Sequence, residues 1–412
     1  MKKVSLKDIL TIIHKTINSL DDRLLDHGEQ VAYIMMNLLK VKGTNTTEEV
    51  VDLCTISMFH DIGIYKVSDI DDLLDADKIS PFDHAVYGSL FIKYFSPLSK
   101  LYKIVLGHHF AYKYIKFKNV DVPNEAIMLG VADYFSILIL NNKRINSYEI
   151  KKMSNIYTKE NVELLLYVIN NNDIVTKIKD GSYKYELYNF LDDKKLEREE
   201  VVDYARMLAY AIDFRSEVTV KHSIIVEAIG YEIGKLLGLD EISLYKLRIA
   251  GILHDIGKIS TPVHILEKDG KLTDEEFEIM KEHSIVGYKI LSGLNIDDIR
   301  DIATLHHEKI DGSGYPFGMK EDQISIEMRI LSIADILSAL VGVRSYKDAF
   351  DKDRVINILN EMSSSNKIDK DITELVILNY DSILNEANIK SSKIMNIYLD
   401  VKKEYKDLLS KL

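Results

Sequence analysis

The 412-residue sequence has one cysteine, five prolines and no tryptophan. A single cysteine excludes an intramolecular disulfide and indicates a reducing compartment. We interpret Cys54, which lies in an apolar helix-like run, as a buried structural thiol rather than a catalytic one.

Runs that alternate apolar and polar residues are also few, whereas apolar spacing with a period of 3.6 residues recurs almost throughout. The sequence therefore predicts an all-α protein.

The sequence also lacks long apolar runs and an excess of basic over acidic residues. No uncharged apolar segment reaches the ~18 residues of a membrane span, and the first twenty residues do not have the composition of a secretory signal. We therefore expect a cytoplasmic protein without membrane contact. The net charge of -12 argues against general nucleic-acid binding, which needs a basic surface. An anionic ligand would need positive charge supplied locally, by metal ions or by a few basic side chains.

What the second half of the chain does contain is a set of histidines and aspartates. They are His222, His254, Asp255, His283, His306, His307 and Asp335. Imidazole and carboxylate without thiolate suit iron, manganese or a similar ion. Seven side chains are too many for one tetrahedral ion but fit two ions that share a carboxylate, and two such ions can clamp both oxygens of a phosphoryl transfer. For any single histidine, a hydrogen-bonded place in the core is the alternative.

These residues and their neighbours resemble the HD-GYP branch of the HD-domain metal-dependent phosphohydrolases. The resemblance runs from about residue 201 to 378 and includes Ile212-Asp213, Arg215, the run His254-Asp255-Ile256-Gly257-Lys258, the run His306-His307-Glu308, the run Asp311-Gly312-Ser313-Gly314-Tyr315-Pro316, and Ala334-Asp335. It implies a phosphodiesterase that hydrolyses a cyclic dinucleotide, most of all cyclic di-GMP, to pGpG or GMP by a metal-bridging hydroxide. A non-hydrolytic signalling protein that senses nucleotide or redox state is the alternative.

The same resemblance implies how the metal ligands divide. His222, His254, Asp255 and Asp335 would hold one ion, and His283, His306 and His307 the second, with Asp255 bridging. The expected cofactors are thus two divalent transition-metal ions, iron or manganese. Val218 stands where some members of the family have a glutamate ligand for a third ion, and Glu217 lies one residue out of register. Ser338 stands where an aspartate is common, and we treat it as neutral for metal binding.

The resemblance also implies the residues that face the substrate. Lys258 and Asp255 would be catalytic, with Lys258 neutralising charge on the phosphoryl oxygens or assisting the leaving group. The expected substrate contacts are Lys258, Gly314, Tyr315, Pro316, Arg344 and Lys347. The last two belong to Arg344-Ser345-Tyr346-Lys347, a partial match to the Arg-Pro-Tyr-Arg-like run of the family. An exposed loop lysine and a simple turn are the alternatives for Lys258 and for the glycine-rich loop.

An internal repeat relates the two halves of the chain. The first half carries a matching set, at separations of 194 to 202 residues: His27, His60, Asp61, His84, His108, His109 and Asp133. Ten of the twelve histidines occupy matched positions, and only His14 and His264 fall outside the pattern. Scattered core histidines would not repeat in this way. The repeat predicts two tandem HD-domain helical bundles joined by a helical linker.

The predicted domains are residues 1–185, 186–385 and 386–412. The last segment repeats apolar residues at four- and three-residue steps, which is typical of a helix-packing seam. We expect it to pack on the protein itself, and a coiled-coil homodimer is the alternative.

The first half departs from the second at the positions expected to face the substrate. Ile64 stands where the second half has Lys258, and Phe110 stands where it has Glu308. Nothing in the segment 111–123 matches Gly314-Tyr315-Pro316. We therefore expect the first half to bind further metal ions in a structural or regulatory role. A second active phosphohydrolase with a different substrate is the competing interpretation.

Overall fold

The computed structural model describes residues 5–19, 26–66, 82–110, 121–141, 145–192, 194–213, 217–266, 268, 270–342 and 350–411. Within these ranges the regular elements are all helices, and the only β-type pairings are the isolated bridges Ser5–Lys195 and Asp311–Lys320. The prediction of an all-α protein is confirmed. In the part of the chain that is described, none of the helices is long and apolar enough to cross a membrane.

The contacts divide the chain into two compact units. The first unit comprises Lys3–Met207 together with Val401–Leu412, and the second comprises Leu208–Asp400. Each unit has its own buried apolar core.

The first unit contains eleven described α-helices, the last of which continues into the second unit. They are α1 (Leu6–Asn18), α2 (His27–Lys42), α3 (Thr47–Met58), α4 (Phe82–Phe95), α5 (Tyr102–Gly107), α6 (Asn124–Leu140), α7 (Ser147–Lys152), α8 (Lys159–Asn171), α9 (Ile174–Asp180), α10 (Tyr183–Leu191) and α11 (Arg198–Asp213). Short 3-10 helices span Ile62–Lys66, Ser99–Leu101 and Met153–Asn155.

The second unit contains the remaining described helices, and the last of them ends in the first unit. They are α12 (Glu217–Leu236), α13 (Glu241–Leu253), α14 (Val263–Leu266), α15 (Asp274–Leu291), α16 (Asp297–Thr304), α17 (Ile326–Val341), α18 (Lys352–Ser364), α19 (Lys370–Leu378) and α20 (Tyr380–Lys411). The 3-10 helices of this unit span Ile256–Ser260 and Glu321–Gln323.

Two helix starts can be read directly from the sequence. Thr46 followed by Glu49, and Thr273 followed by Glu276, have the spacing of a capping box. In both, the threonine side chain accepts from the glutamate N–H and the glutamate side chain accepts from the threonine N–H. Both predictions are confirmed. The predicted cap at Ser80-Pro81 lies outside the described residues.

The end of α20 packs on α4 inside the first unit. Val401 is 1% exposed, and Glu404 accepts hydrogen bonds from Lys93 Nζ at 2.6 Å and from the Tyr94 hydroxyl at 2.8 Å. The ring of Tyr405 meets the ring of Tyr87 edge-on, at 5.8 Å between centroids. The apolar seam of this segment therefore contacts a helix of the same chain.

A glycine after each His-Asp pair allows two backbones to touch. A Cβ atom on Gly257 would lie 1.8 Å from the carbonyl oxygen of His283 and 2.6 Å from the nitrogen of Gly287. A Cβ atom on Gly63 in the first unit would lie 2.0 Å from the carbonyl oxygen of His84. Contacts this short with backbone atoms exclude any side chain. The glycine therefore brings the turn after the His-Asp pair against the helix that carries the next histidine.

We predict that Gly257→Ala destabilises the second unit by about 3 kcal/mol, because the backbone must separate to admit the methyl group. Gly230→Ala is the control, since its Cβ would meet nothing closer than 3.7 Å. That helical substitution should be neutral or stabilising by up to ~1 kcal/mol. Thermal unfolding followed by circular dichroism measures both changes. Equal melting temperatures for the two variants would contradict the packing argument.

Candidate metal centre

Five structural elements of the second unit deliver the predicted ligands to one place. His222 lies on α12, His283 on α15 and Asp335 on α17. The pairs His254-Asp255 and His306-His307 follow the ends of α13 and α16. Helix ends suit this purpose, because the chain turns there and adjacent residues can point into one bundle interior. The structure thus brings together residues that are more than 100 positions apart in sequence.

Short distances join these side chains. Asp335 Oδ1 lies 3.1 Å from His222 Nε2, and Asp335 Oδ2 lies 3.8 Å from His307 Nδ1. The candidate ligand atoms of His283, His306 and His307 lie within 4.8 Å of one another. The same limit holds for those of His222, His254 and Asp255. Either group could hold a metal ion.

The carboxylate of Asp255 faces both groups. Its Oδ2 lies 3.1 Å from His254 Nε2 and 3.9 Å from His222 Nε2, whereas its Oδ1 lies 3.7 Å from His283 Nε2. One oxygen thus points to each histidine group. This is the arrangement that a bridging carboxylate needs.

The histidine tautomers favour metal binding. The Nδ1 atoms of His254, His283 and His306 each donate to the carbonyl three residues earlier, at 2.9, 2.6 and 2.6 Å. A carbonyl can only accept, so Nδ1 holds a proton and the lone pair of the neutral ring is on Nε2. The Nε2 atoms of His254 and His306 are buried without a hydrogen-bond partner. The carboxylate 3.1 Å from His254 Nε2 is close enough for an ion pair but lacks hydrogen-bond geometry.

Unpartnered buried nitrogens are costly, and a metal ion would satisfy them. The residues therefore fit the divalent metal ions on which HD-domain phosphohydrolases depend. Burial lowers the pKa of His307 to about 3, which leaves this ring neutral and able to act as a ligand near pH 7. Burial alone would raise the pKa of Asp255, but the neighbouring side chains of His254 and Lys258 hold it well below its usual range. The carboxylate is therefore ionised.

Lys258 places a cation beside these ligands. Its Nζ lies 2.5 Å from Asp255 Oδ2 and its side chain is 19% exposed. Burial disfavours the ammonium form, but the neighbouring Asp255 carboxylate raises the pKa of Lys258 above its ordinary value. The side chain of Lys258 therefore stays charged although it is mostly buried. An exposed loop lysine would stay charged without a carboxylate partner.

Glu308 holds the glycine-rich loop. The sequence motif alone gives this residue no role. The Glu308 carboxylate is 3% exposed and accepts from the backbone N–H of Phe317 at 2.6 Å and of Met319 at 2.9 Å. A Cβ on Gly314 would lie 2.5 Å from Glu308 Cα. The Tyr315 ring packs on His307 with 4.6 Å between centroids. The loop is therefore fastened directly to the His-His pair.

Two further polar residues lie next to the ligands. Ser338 Oγ is 2.9 Å from His222 Nδ1, so the residue that we treated as neutral for metal binding contacts a predicted ligand. Asp213 accepts a hydrogen bond from Ser223 Oγ at 2.6 Å, and burial together with the Asp255 charge raises the pKa of Asp213 to about 7. Sequence spacing could have suggested Ser338, because it follows Asp335 by one helical turn on the same face.

Some predicted positions lie outside the described residues. These are Arg344 and Lys347, as well as Arg215 of the lead-in segment. The side chains of Glu217 and Val218, which bear on a third ion, are not described either.

Comparison with known proteins agrees with this geometry. Residues 193–372 match the family described as "HD domain". The chain is 25% identical over 397 residues to "3'3'-cGAMP-specific phosphodiesterase 1" of Vibrio cholerae, covering 91% of this chain and 92% of that protein. It is 41% identical over 155 residues to a "Cyclic di-GMP phosphodiesterase" of Thermotoga maritima, covering 36% of this chain and 40% of that protein. The expected resemblance to the HD-GYP family of HD-domain phosphohydrolases is confirmed. Both of these relatives are named as phosphodiesterases.

A solved structure shares the fold. The crystal structure of a cyclic GMP-AMP-specific phosphodiesterase of V. cholerae matches with a TM-score of 0.57 at 19% identity, over 93% of this chain and 98% of that one. The match extends over both units. It supports the common all-α architecture of the pair.

We predict that Ser338→Ala weakens metal binding by ~10- to 100-fold, because the hydrogen bond that orients a ligating histidine is lost. Affinity for Mn²⁺ can be measured by calorimetry on protein stripped of metal. Ser292→Ala is the control, since its hydroxyl donates to the Tyr288 carbonyl oxygen at 2.6 Å and not to a predicted metal ligand. Unchanged affinity in Ser338→Ala would show that His222 is oriented without it.

We predict that Glu308→Ala lowers kcat/KM by ~30-fold while metal content stays constant. Two backbone N–H groups lose a charged acceptor, which costs about 2 kcal/mol in loop order. Glu327→Gln is the control, because that glutamate only accepts from Ser243 Oγ at 2.9 Å. A parallel loss of metal would mean that Glu308 acts on the ligands rather than on the loop.

Proposed function

We propose that the second unit hydrolyses a cyclic dinucleotide with divalent metal ions held by its seven histidines and aspartates. The observation that carries this proposal is the orientation of Asp255, whose two oxygens face separate histidine groups next to the Lys258 ammonium. Ions bound there would polarise the phosphodiester and supply a water nucleophile of lowered pKa. Iron and manganese are the proposed metals, because the donor set combines imidazole with carboxylate.

The proposed ligands follow the division stated from the sequence. His222, His254, Asp255 and Asp335 hold one ion, and the remaining three histidines hold the second. The side chain of Asp255 serves both groups. The proposed module is the predicted segment 186–385.

The roles of the remaining residues follow from their positions. Lys258 lies beside Asp255 and neutralises charge on the phosphoryl oxygens or the leaving group. Tyr315 packs on His307 at the edge of the ligand cluster, and this contact supports a role for its ring in binding the substrate. Gly314 and Pro316 shape this loop. Arg344 and Lys347 are proposed phosphate contacts on sequence grounds alone.

The proposed substrate class is supported by the relatives. The relative that spans both units is named for 3'3'-cGAMP, and the relative that is 41% identical over 155 residues is named for cyclic di-GMP. We propose cyclic di-GMP, cleaved to pGpG or GMP, as the first substrate to test and 3'3'-cGAMP as the second. The residues that contact the bases would distinguish these two substrates. The metal ligands do not distinguish them.

The test is turnover by protein purified without oxygen, with its metals quantified and with cyclic dinucleotides as substrates. We predict that Asp255→Asn abolishes hydrolysis and that Lys258→Met lowers kcat by ~10²- to 10³-fold with metal retained. Lys246→Met is the matched control, because that lysine pairs with Asp298 at the surface. Tight binding of cyclic dinucleotides without turnover across several metals would replace this proposal by the non-hydrolytic sensor.

A further inference from the structure

The first unit repeats the ligand geometry of the second on equivalent elements. His27 lies on α2, His84 on α4 and Asp133 on α6, while His60-Asp61 and His108-His109 follow the ends of α3 and α5. This unit lies almost entirely outside residues 193–372, which match the HD domain. The repeat in sequence is therefore also a repeat in three dimensions.

The bridging arrangement recurs at Asp61. Its Oδ2 lies 3.3 Å from His60 Nε2 and 3.7 Å from His27 Nε2, and its Oδ1 lies 3.4 Å from His84 Nε2. One oxygen again faces each histidine group. Asp133 Oδ1 lies 3.1 Å from His27 Nε2, the same distance as between Asp335 and His222.

Two of the histidine tautomers recur as well, whereas His84 differs from His283: its Nδ1 lacks a hydrogen-bond partner and its Nε2 contacts His109 Nε2 at 2.8 Å. His60 and His108 donate from Nδ1 to the carbonyl three residues earlier, at 2.8 and 2.5 Å. Their Nε2 atoms are buried without a hydrogen-bond partner, in side chains that are 1% and 0% exposed. The Nδ1 of His27 contacts Ser136 Oγ at 3.1 Å, as that of His222 contacts Ser338. Two buried ring nitrogens without a hydrogen-bond partner are costly, and a metal ion is a partner that their chemistry fits.

The two units differ where the second has its charged groups. Ile64, 2% exposed, follows the His-Asp pair at the position of Lys258 and supplies no cation. Phe110, 1% exposed, stands at the position of Glu308 and has no carboxylate to hold backbone N–H groups. Both positions are filled by buried apolar side chains.

The pocket beside this cluster also differs from a phosphate site. Its described lining includes Leu10, Ile13 and Met58 together with the carboxylates of Glu29 and Asp61. The described lining residues include no lysine or arginine. A dianionic cyclic dinucleotide would meet two carboxylates there, and Lys184, which is not among the described lining residues, already pairs with one of them, Glu29, at 3.2 Å.

We propose that the first unit binds first-row transition-metal ions through His27, His60, Asp61, His84, His108, His109 and Asp133, and that this second centre does not cleave cyclic dinucleotides. Its ligands are complete, whereas the groups that would stabilise a phosphoryl transition state are replaced by apolar ones. The centre therefore acts on the stability or the regulation of the enzyme. This inference goes beyond the proposed activity of the second unit.

The test counts metal ions in the full-length chain. Protein stripped of metal is reloaded with Mn²⁺, desalted and measured by plasma mass spectrometry. We predict that His60→Ala/Asp61→Ala and His254→Ala/Asp255→Ala each lose about half of the manganese, since both units carry the same seven ligand types. The combined variant should bind none. Asp52→Asn is the matched control, because Asp52 belongs to the same unit and its carboxylate pairs with Lys194 Nζ at 2.6 Å instead of with a histidine of the cluster.

A second variant with the same side-chain volume controls for misfolding. Asp133→Asn keeps the side-chain volume and removes one ligand charge, so it should lower manganese binding while circular dichroism stays unchanged. Full manganese content in both Asp133→Asn and His60→Ala/Asp61→Ala would overturn the proposed centre.

Hydrolysis measured on the same samples tests the division of labour. His60→Ala/Asp61→Ala should retain cyclic dinucleotide hydrolysis with a changed rate or stability, and His254→Ala/Asp255→Ala should retain none. Complete loss of hydrolysis in the first variant, with the second unit still holding manganese, would overturn the non-hydrolytic role. If the unsubstituted protein hydrolysed no cyclic dinucleotide, the proposed function would fail, and the manganese counts would still decide on the first centre.

Discussion

The architecture of each unit depends on one buried carboxylate with histidines on both sides. Asp255 in the second unit and Asp61 in the first are 5% and 7% exposed, and each directs its two oxygens to different histidine groups. A buried charge is costly unless it is paired. The surrounding helices must therefore converge on this point, and the turns that follow α3 and α13 are shaped by it. The glycine after each pair permits the necessary approach of backbone to backbone.

The duplicated centre separates two requirements that coincide in a single active site. Holding metal ions needs ligands with free lone pairs and fixed tautomers, and both units have them. Stabilising a phosphoryl transfer needs cations and a positioned loop, and in the described residues those features surround the centre of the second unit. Substitution at two positions, Ile64 and Phe110, removes the second set without disturbing the first.

Polar residues contact the predicted ligands and the glycine-rich loop, and the short sequence motifs do not reveal these contacts. Ser338 contacts His222, and Ser136 contacts His27, which is the first predicted ligand of its unit. Glu308 holds the backbone of the glycine-rich loop. These residues act through other residues, so their effects should be visible in metal affinity and in loop order before they are visible in chemistry. The comparison of the two units isolates them, because the serine is kept in both and the glutamate is present in one.

The sequence by itself determined the all-α class, the two capping boxes, the repeat of seven ligand types and the resemblance to the HD-GYP phosphohydrolases. Those features depend on local periodicity, on i to i+3 hydrogen bonds and on residue order, which a linear string contains. Tertiary structure alone decided which oxygen of Asp255 faces which histidine, which ring nitrogens lack partners, and that Glu308 fastens a loop nine to eleven residues away. Such facts depend on the direction of side chains brought together from separate helices. Residue spacing along one chain does not specify those directions, because packing between helices sets them.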